Sequence, residues 1–79
     1  MPRYEVTPVT SLGTPMRIDA AHVPHLARLV GEQLQKKRLL VKGKPFHAHH
    51  PAEGRLVFTQ QLSPTRIHAV RVTYRKDQA

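Results

Sequence analysis

Apolar and polar residues alternate along two stretches in the C-terminal half of the chain, which predicts two antiparallel strands. The first stretch covers residues 55–62 and the second covers residues 66–75, and the intervening residues 63–65 contain a proline that favours a turn. The second strand separates apolar residues on one face from mainly basic residues on the other. These two sets are Val70, Val72 and Tyr74, and Arg71, Thr73 and Arg75. The pattern therefore predicts a hairpin with one apolar and one basic face.

Two apolar residues of the second predicted strand, Ile67 and Ala69, fall on the basic face of this alternation. Either a β-bulge or a second covered surface would explain them, and the sequence does not distinguish the two. In the first strand Leu56, Phe58 and Leu62 share the apolar face.

Helical spacing of apolar residues begins near residue 23 and predicts a helix that continues through about Lys37. The residues with this spacing are Val23, Leu26, Leu29, Val30 and Leu34. Asp19 is a candidate N-cap, with Pro24 near the start of the helix. Alternatively, Pro24 is the first helical residue and residues 19–22 form a separate turn.

The remaining strands are predicted from shorter signals. Residues 3–9 alternate, with Tyr4 and Val6 on one face, and Pro8 indicates that this strand is at an edge or ends there. Residues 10–15 have turn chemistry, and residues 16–18 form a short second strand.

Two segments between the helix and the hairpin complete the prediction. The apolar run at residues 39–41 is expected to be a strand, and residues 45–54, which lack any period, are expected to be an exposed loop. The chain is therefore predicted to be one α+β domain over residues 1–79. In it a single helix packs on a small antiparallel sheet of four to five short strands, in the order β-β-α-β-β-β.

The net charge and the residue composition exclude several classes of protein. The 79 residues include 13 Lys and Arg against five Asp and Glu, a formal net charge of +8, and no cysteine. The absence of cysteine excludes disulfides and thiolate zinc sites and suits a cytoplasmic protein. No apolar run approaches the roughly 20 residues of a membrane span, and residues 1–5 lack the apolar stretch of a secretory signal. We therefore expect no membrane partner.

An excess of cations attracts polyanions, so ten Lys and Arg residues are candidates for binding a partner or phosphate groups. They are Lys36, Lys37, Arg38, Lys42, Lys44, Arg55, Arg66, Arg71, Arg75 and Lys76. Arginine forks at strand spacing suit phosphate or carboxylate groups. The alternative is a solvated face that keeps a small domain in solution. For residues 36–38, favourable interaction with the helix dipole explains the charges equally well.

The sequence gives only weak evidence for catalytic or metal-binding residues. The five acids are dispersed along the chain, and the hydroxyl residues have no neighbouring base, so no enzyme is predicted. His22 and His25 could share one side of a helical turn, and His47, His49 and His50 cluster near Glu53. Because no cysteine or well-spaced acid completes a ligand pattern, neither a metal nor another cofactor is expected.

Four aromatic residues are too scattered for a base-stacking platform. They are Tyr4, Phe46, Phe58 and Tyr74. The strand alternation places Phe58 and Tyr74 inward, so these two are expected in the core.

The order of strand, glycine turn, helix and basic hairpin resembles small basic phage-encoded type I anti-CRISPR proteins. The similarity is carried by Gly13 and Thr14 before the helix, by residues 26–33 ending in Glu32 and Gln33, and by the alternating residues 66–75. The resemblance implies a monomer that binds the multi-subunit crRNA-guided surveillance complex and blocks loading of target DNA. Members that mimic DNA are acidic, so this basic chain departs from simple mimicry.

Two hypotheses of different class follow. In the first, the protein is such an inhibitor and contacts the crRNA-guided complex through a positively charged surface. In the second, it binds free nucleic acid directly, as a small regulator or an architectural protein that uses a basic β-hairpin. The first predicts weak affinity for DNA alone, and the second predicts binding that falls steeply with salt.

Overall fold

The computed structural model describes residues 1–10 and 13–77. Five strands and one helix form in this part of the chain. The elements are β1 Arg3–Pro8, β2 Met16–Asp19, α1 Val23–Lys36, β3 His47–Ala52, β4 Arg55–Ser63 and β5 Arg66–Lys76. The strands form one antiparallel sheet in the order β2-β1-β5-β4-β3. The predicted α+β class, with one helix packed on a small sheet, is confirmed.

The core lies between α1 and one face of the sheet. Helical spacing puts Leu26, Val30 and Leu34 on one side of α1, and all three are fully buried. From the sheet, the alternating residues of the central strands fill the other half of the core; they are Val6, Leu56, Phe58, Val70 and Val72. Full burial of such side chains stabilises the fold by about 1.5–3 kcal/mol each. The opposite face of the sheet is uncovered and is called the open face below.

The helix begins differently from the first of the two predictions. Its N-cap is His22, whose Nδ1 accepts a hydrogen bond from the backbone N–H of His25 at 3.1 Å. The Nδ1 of His25 in turn accepts from the N–H of Ala21 at 3.1 Å. Asp19 instead ends β2, so it is not the N-cap, and the alternative of a separate turn before a helix starting near Pro24 is closer to the structure.

The predicted strand at residues 39–41 is wrong, because these residues belong to the turn that ends α1. Arg38 has a left-handed backbone with a φ of 63°. Its N–H donates to the carbonyl of Gln35, and the N–H of Leu39 donates to the carbonyl of Leu34. This pair of bonds is a Schellman motif. Leu40 is buried because it closes the end of the core, which explains the apolar character of the segment.

The predicted loop at residues 45–54 is also wrong, because it contains β3. This strand pairs with β4, with His47 opposite Thr59 and His49 opposite Val57. Gly54, at a φ of 83°, forms the turn between the two strands. All six residues of β3 are exposed, as expected of an edge strand, so no alternation of apolar and polar residues marks it.

The N-terminal strand and the hairpin largely follow the predictions. β1 ends at Pro8 as one alternative required, but it lies between β2 and β5 and is not an edge. β4 and β5 form the predicted hairpin, with Ile67 and Ala69 exposed on the open face. A register irregularity follows Gln61, yet Ile67 remains 71% exposed, so no second covered surface explains it. Ser11 and Leu12 of the predicted turn lie outside the described residues.

Candidate functional site

The helix and the sheet give the molecule two chemically different ends. At one end, the start of α1, the β3–β4 turn and the end of β5 surround a cleft lined by Val23, Glu53 and Lys76, among others. At the opposite end, the segment after α1 contacts β5 three residues from the β4–β5 turn, since His68 Nε2 lies 2.8 Å from the carbonyl oxygen of Leu39. The molecule measures 43 Å along its longest axis.

Six of the ten predicted site residues lie on three segments that contact one another: the end of α1, the loop that follows it, and the β4–β5 hairpin near its turn. We call this group the basic end; all six are exposed, and they are Lys36, Lys37, Arg38, Lys42, Lys44 and Arg66. The Nζ of Lys44 donates to the carbonyl oxygen of Leu62 at 3.4 Å, which joins the loop to the hairpin. Segments that are far apart in the sequence therefore build one cationic surface.

Two glutamines hold the loop that carries Lys42 and Lys44. The side chain of Gln60 is 1% exposed; its Oε1 accepts from the N–H of Val41 at 2.7 Å and its Nε2 donates to the carbonyl of Val41 at 2.9 Å. The Nε2 of Gln35 donates to the carbonyl of Lys44 at 2.8 Å. A buried amide with its hydrogen bonds satisfied fixes backbone geometry, so the two lysines are presented on an ordered loop.

The role of Gln60 in holding this loop was not predicted from the sequence. The signal for it was the alternation of β4, which puts Gln60 on the apolar face between Phe58 and Leu62. A polar residue at such a position needs hydrogen-bond partners inside the protein. Those partners belong to the segment that was predicted to be a strand.

Four of the five acids lie toward the other end, whereas Glu32 is exposed on α1 one helical turn before Lys36, and all five lie in the described part of the chain. Three of them form ion pairs with arginines: Asp19 with Arg3 at 3.0 Å, Asp77 with Arg17 at 3.7 Å, and Glu5 with Arg75 at 3.1 Å. The hydrogen bond to Asp19, reinforced by its charge, raises the pKa of the Arg3 guanidinium above its ordinary value. Because water and salt screen such exposed pairs, they contribute little to the stability of the fold. Their main effect is to neutralise positive charge at this end, which we call the paired end.

The remaining predicted site residues do not join the basic end. Arg75 is paired with Glu5, and Lys76 lies opposite Tyr4 at the paired end. Arg55 and Arg71 lie on the open face, where both line a shallow groove of about 380 Å³ beside Thr73. Neither forms an ion pair with an acid of the described residues. The ten predicted cations therefore fall into the basic end, the open-face pair of Arg55 and Arg71, and two residues at the paired end, rather than into a single patch.

The histidines and aromatic residues have structural partners. His49 Nε2 lies 3.1 Å from Thr59 Oγ1, and His50 Nε2 lies 2.7 Å from the hydroxyl of Tyr74. Within residues 1–10 and 13–77, no three His, Cys, Asp or Glu side chains are grouped so that they could hold a metal ion. Phe58 is fully buried and Tyr74 packs against the core, which confirms that both point inward.

The α1 helix is neither long enough nor apolar enough to cross a membrane, and the described residues contain no other helix. Comparison of the chain with models of protein families, with curated proteins and with solved structures finds no match.

Proposed function

We propose that this protein is not an enzyme and that it binds nucleic acid directly through the basic end. The observation that carries the proposal is the separation of charge along the molecule. Three arginines are neutralised by acids near the paired end, whereas six cations meet where the helix and hairpin end. A concentrated positive field of this kind attracts the phosphate backbone and speeds its association.

The helix dipole does not account for the whole basic end. It favours Lys36 and Lys37 at the C-terminus of α1, but it falls off within the last turn. Lys42, Lys44 and Arg66 lie on the following loop and on the hairpin, beyond that turn. Cations from three separate segments meeting in one place therefore support a shared partner more than they support helix capping alone.

The backbone of Arg38 supports the same proposal. A left-handed residue at this position of a Schellman motif is most often glycine, because any Cβ is strained there. Here the position holds an arginine at a φ of 63°. Strain that is retained in a stable turn is commonly associated with a functional side chain. We interpret Arg38 as a contact whose guanidinium is needed at the basic end.

The second candidate is the inhibitor of a crRNA-guided complex that the sequence resemblance implies. One observation favours it: Val41 and Ile67 lie at or beside the basic end with exposures of 40% and 71%. Exposed apolar residues among cations suit a protein surface, whereas phosphate contacts do not require them. The same basic end would then contact the complex, and affinity for free nucleic acid would be weak.

A salt titration of duplex binding tests the first candidate. We expect the protein to bind a short generic DNA duplex, with log Kobs falling linearly against log salt with a slope near −0.9 per phosphate contact. The triple substitution Lys36→Gln, Lys37→Gln and Lys42→Gln should make that slope shallower by about two to three. Fluorescence anisotropy at several salt concentrations measures both quantities.

A charge-matched variant supplies the control. Arg28 is exposed in the first half of α1, two turns before Lys36. Arg17→Gln, Arg28→Gln and Lys76→Gln together remove the same charge outside the basic end and should change the slope much less. Equal losses from the two triple variants would contradict a localised site. Failure to bind DNA or RNA at low salt, together with stoichiometric binding to a crRNA-guided complex, would favour the inhibitor instead.

A further inference from the structure

The ladder between β4 and β5 continues past both neighbouring strands. On one side, β1 pairs with β5 only as far as Val72, followed by one bond from the N–H of Val9 to the carbonyl of Arg71. On the other side, pairing with β3 reaches only Thr59. In the described residues, positions 61–67 are therefore paired with each other and with no third strand. We call these residues the hairpin tip.

The hairpin tip projects far enough to enter a groove. The last rung with a neighbouring strand joins Thr59 to Ala69, and Thr65 in the turn lies four residues beyond Ala69. At the rise of an extended strand this is about 13 Å. The two strands of such a ribbon are separated by about 5 Å.

Cations lie on one face of the hairpin tip and at its end. On the face toward the helix, Lys44 is bonded to the carbonyl of Leu62, about 10 Å from the turn at strand rise. Arg66 is exposed at the turn itself. On the open face the next cation is Arg71, which lies outside the hairpin tip, six residues and about 20 Å from Thr65. Positive charge thus lies at the end of the hairpin tip and on its helix-facing side.

The major groove of B-form DNA has matching dimensions and charges. It is about 12 Å wide and about 8.5 Å deep, it admits a two-stranded ribbon, and a phosphate backbone runs along each side. From this match we infer that the hairpin tip inserts end-on into the major groove of duplex DNA, with Lys44 facing one of the two backbones. The inference rests on the proposed function and names duplex DNA as its substrate.

Arg66 is the residue that meets the base edges in this arrangement. It lies next to the turn, and an arginine presents two donors to the O6 and N7 atoms of guanine. A-form RNA duplexes offer no equivalent site, because their major groove is too narrow and deep to admit protein side chains. Insertion therefore predicts that the protein discriminates between DNA and RNA duplexes of one sequence.

Anisotropy measurements with three probes at one moderate salt concentration test the inference. The probes are a DNA duplex containing guanine, an RNA duplex of the same sequence and the single DNA strand. We expect the native protein to bind the DNA duplex about tenfold more tightly than the RNA duplex. Arg66→Gln should lose most of this preference, while Lys76→Gln, which removes the same charge at the paired end, should keep it.

Each outcome decides between the proposals. Equal affinity for the DNA and RNA duplexes would overturn groove insertion and leave direct nucleic-acid binding intact. A preference for duplex DNA that survives Arg66→Gln in a folded variant, verified by circular dichroism, would overturn the assignment of the hairpin tip. Binding to none of the three probes would overturn both proposals.

Discussion

Gln60 connects the hydrophobic core to the basic end. It occupies a core position of β4, but its amide bonds to Val41 on both the N–H and the carbonyl, and its Nε2 also donates to the carbonyl of Lys44 at 3.2 Å. A leucine at this position would fill similar space and make none of these bonds. Such a substitution would therefore destabilise the protein because backbone groups lose their hydrogen-bond partners, and not because a cavity forms.

We expect Gln60→Leu to lower the free energy of unfolding by about 1–3 kcal/mol, because the loop backbone loses its partners. The neighbouring Gln61→Leu is the matched control, since Gln61 is exposed on the open face. That variant should change stability by no more than about 0.5 kcal/mol. Urea denaturation of the two variants measures the difference, and equal effects would show that the hydrogen bonds of Gln60 contribute little.

At the scale of an element, one residue of the turn after α1 is expected to lower the stability of the fold while it contributes to the proposed binding. Its Schellman bonds need a left-handed residue, and the chain supplies Arg38 where glycine has no Cβ strain. Strain at such a residue is about 1–2 kcal/mol, partly offset by the greater freedom of glycine in the unfolded chain. Removing the Arg38 side chain should therefore raise the stability of the fold and weaken binding at the basic end.

Arg38→Gly is expected to raise the free energy of unfolding by about 0.5–1 kcal/mol and to weaken DNA binding. Lys37→Gly is its control: Lys37 has a φ of −83°, so glycine brings no relief there and removes the same charge. That variant should weaken binding and lower stability. Thermal unfolding and anisotropy test both; a less stable Arg38→Gly protein would refute the strain argument.

Elements with their own periodicity were predictable from the sequence. The helix and the β4–β5 hairpin carry the apolar spacing that their burial requires. β3 was missed because an exposed edge strand needs no apolar face; it is specified by its partner β4 and the turn at Gly54. The strand at residues 39–41 was predicted wrongly because a turn that closes the core also needs apolar residues such as Leu40.

The candidate site was predictable as a set of cations but not as a surface. Their number follows from the sequence, whereas their grouping depends on the pairing of distant strands. The register that puts Glu5 opposite Arg75 removes one predicted cation from the site. The loop anchored by Gln60 adds Lys42 and Lys44 to the end of the helix. Neither relation appears in a local pattern of residues.

At the scale of the whole molecule, charge follows the long axis. The ion pairs of Arg3, Arg17 and Arg75 occupy one half, and the basic end occupies the tip of the other. If the basic end binds nucleic acid as proposed, a polyanion that approaches this molecule is attracted to one end and contacts the exposed cationic side chains there. The open-face arginines Arg55 and Arg71 lie between the two ends and can extend the contact.

Amide chemical shifts recorded during titration with a short DNA duplex would identify the binding surface residue by residue. If the basic end binds the duplex, the largest changes fall on residues 36–44 and 62–67, residues near Arg3, Asp19 and Asp77 change little, and added salt reverses the changes. Shifts that are greatest at the paired end, or spread evenly over the molecule, would contradict binding at the basic end.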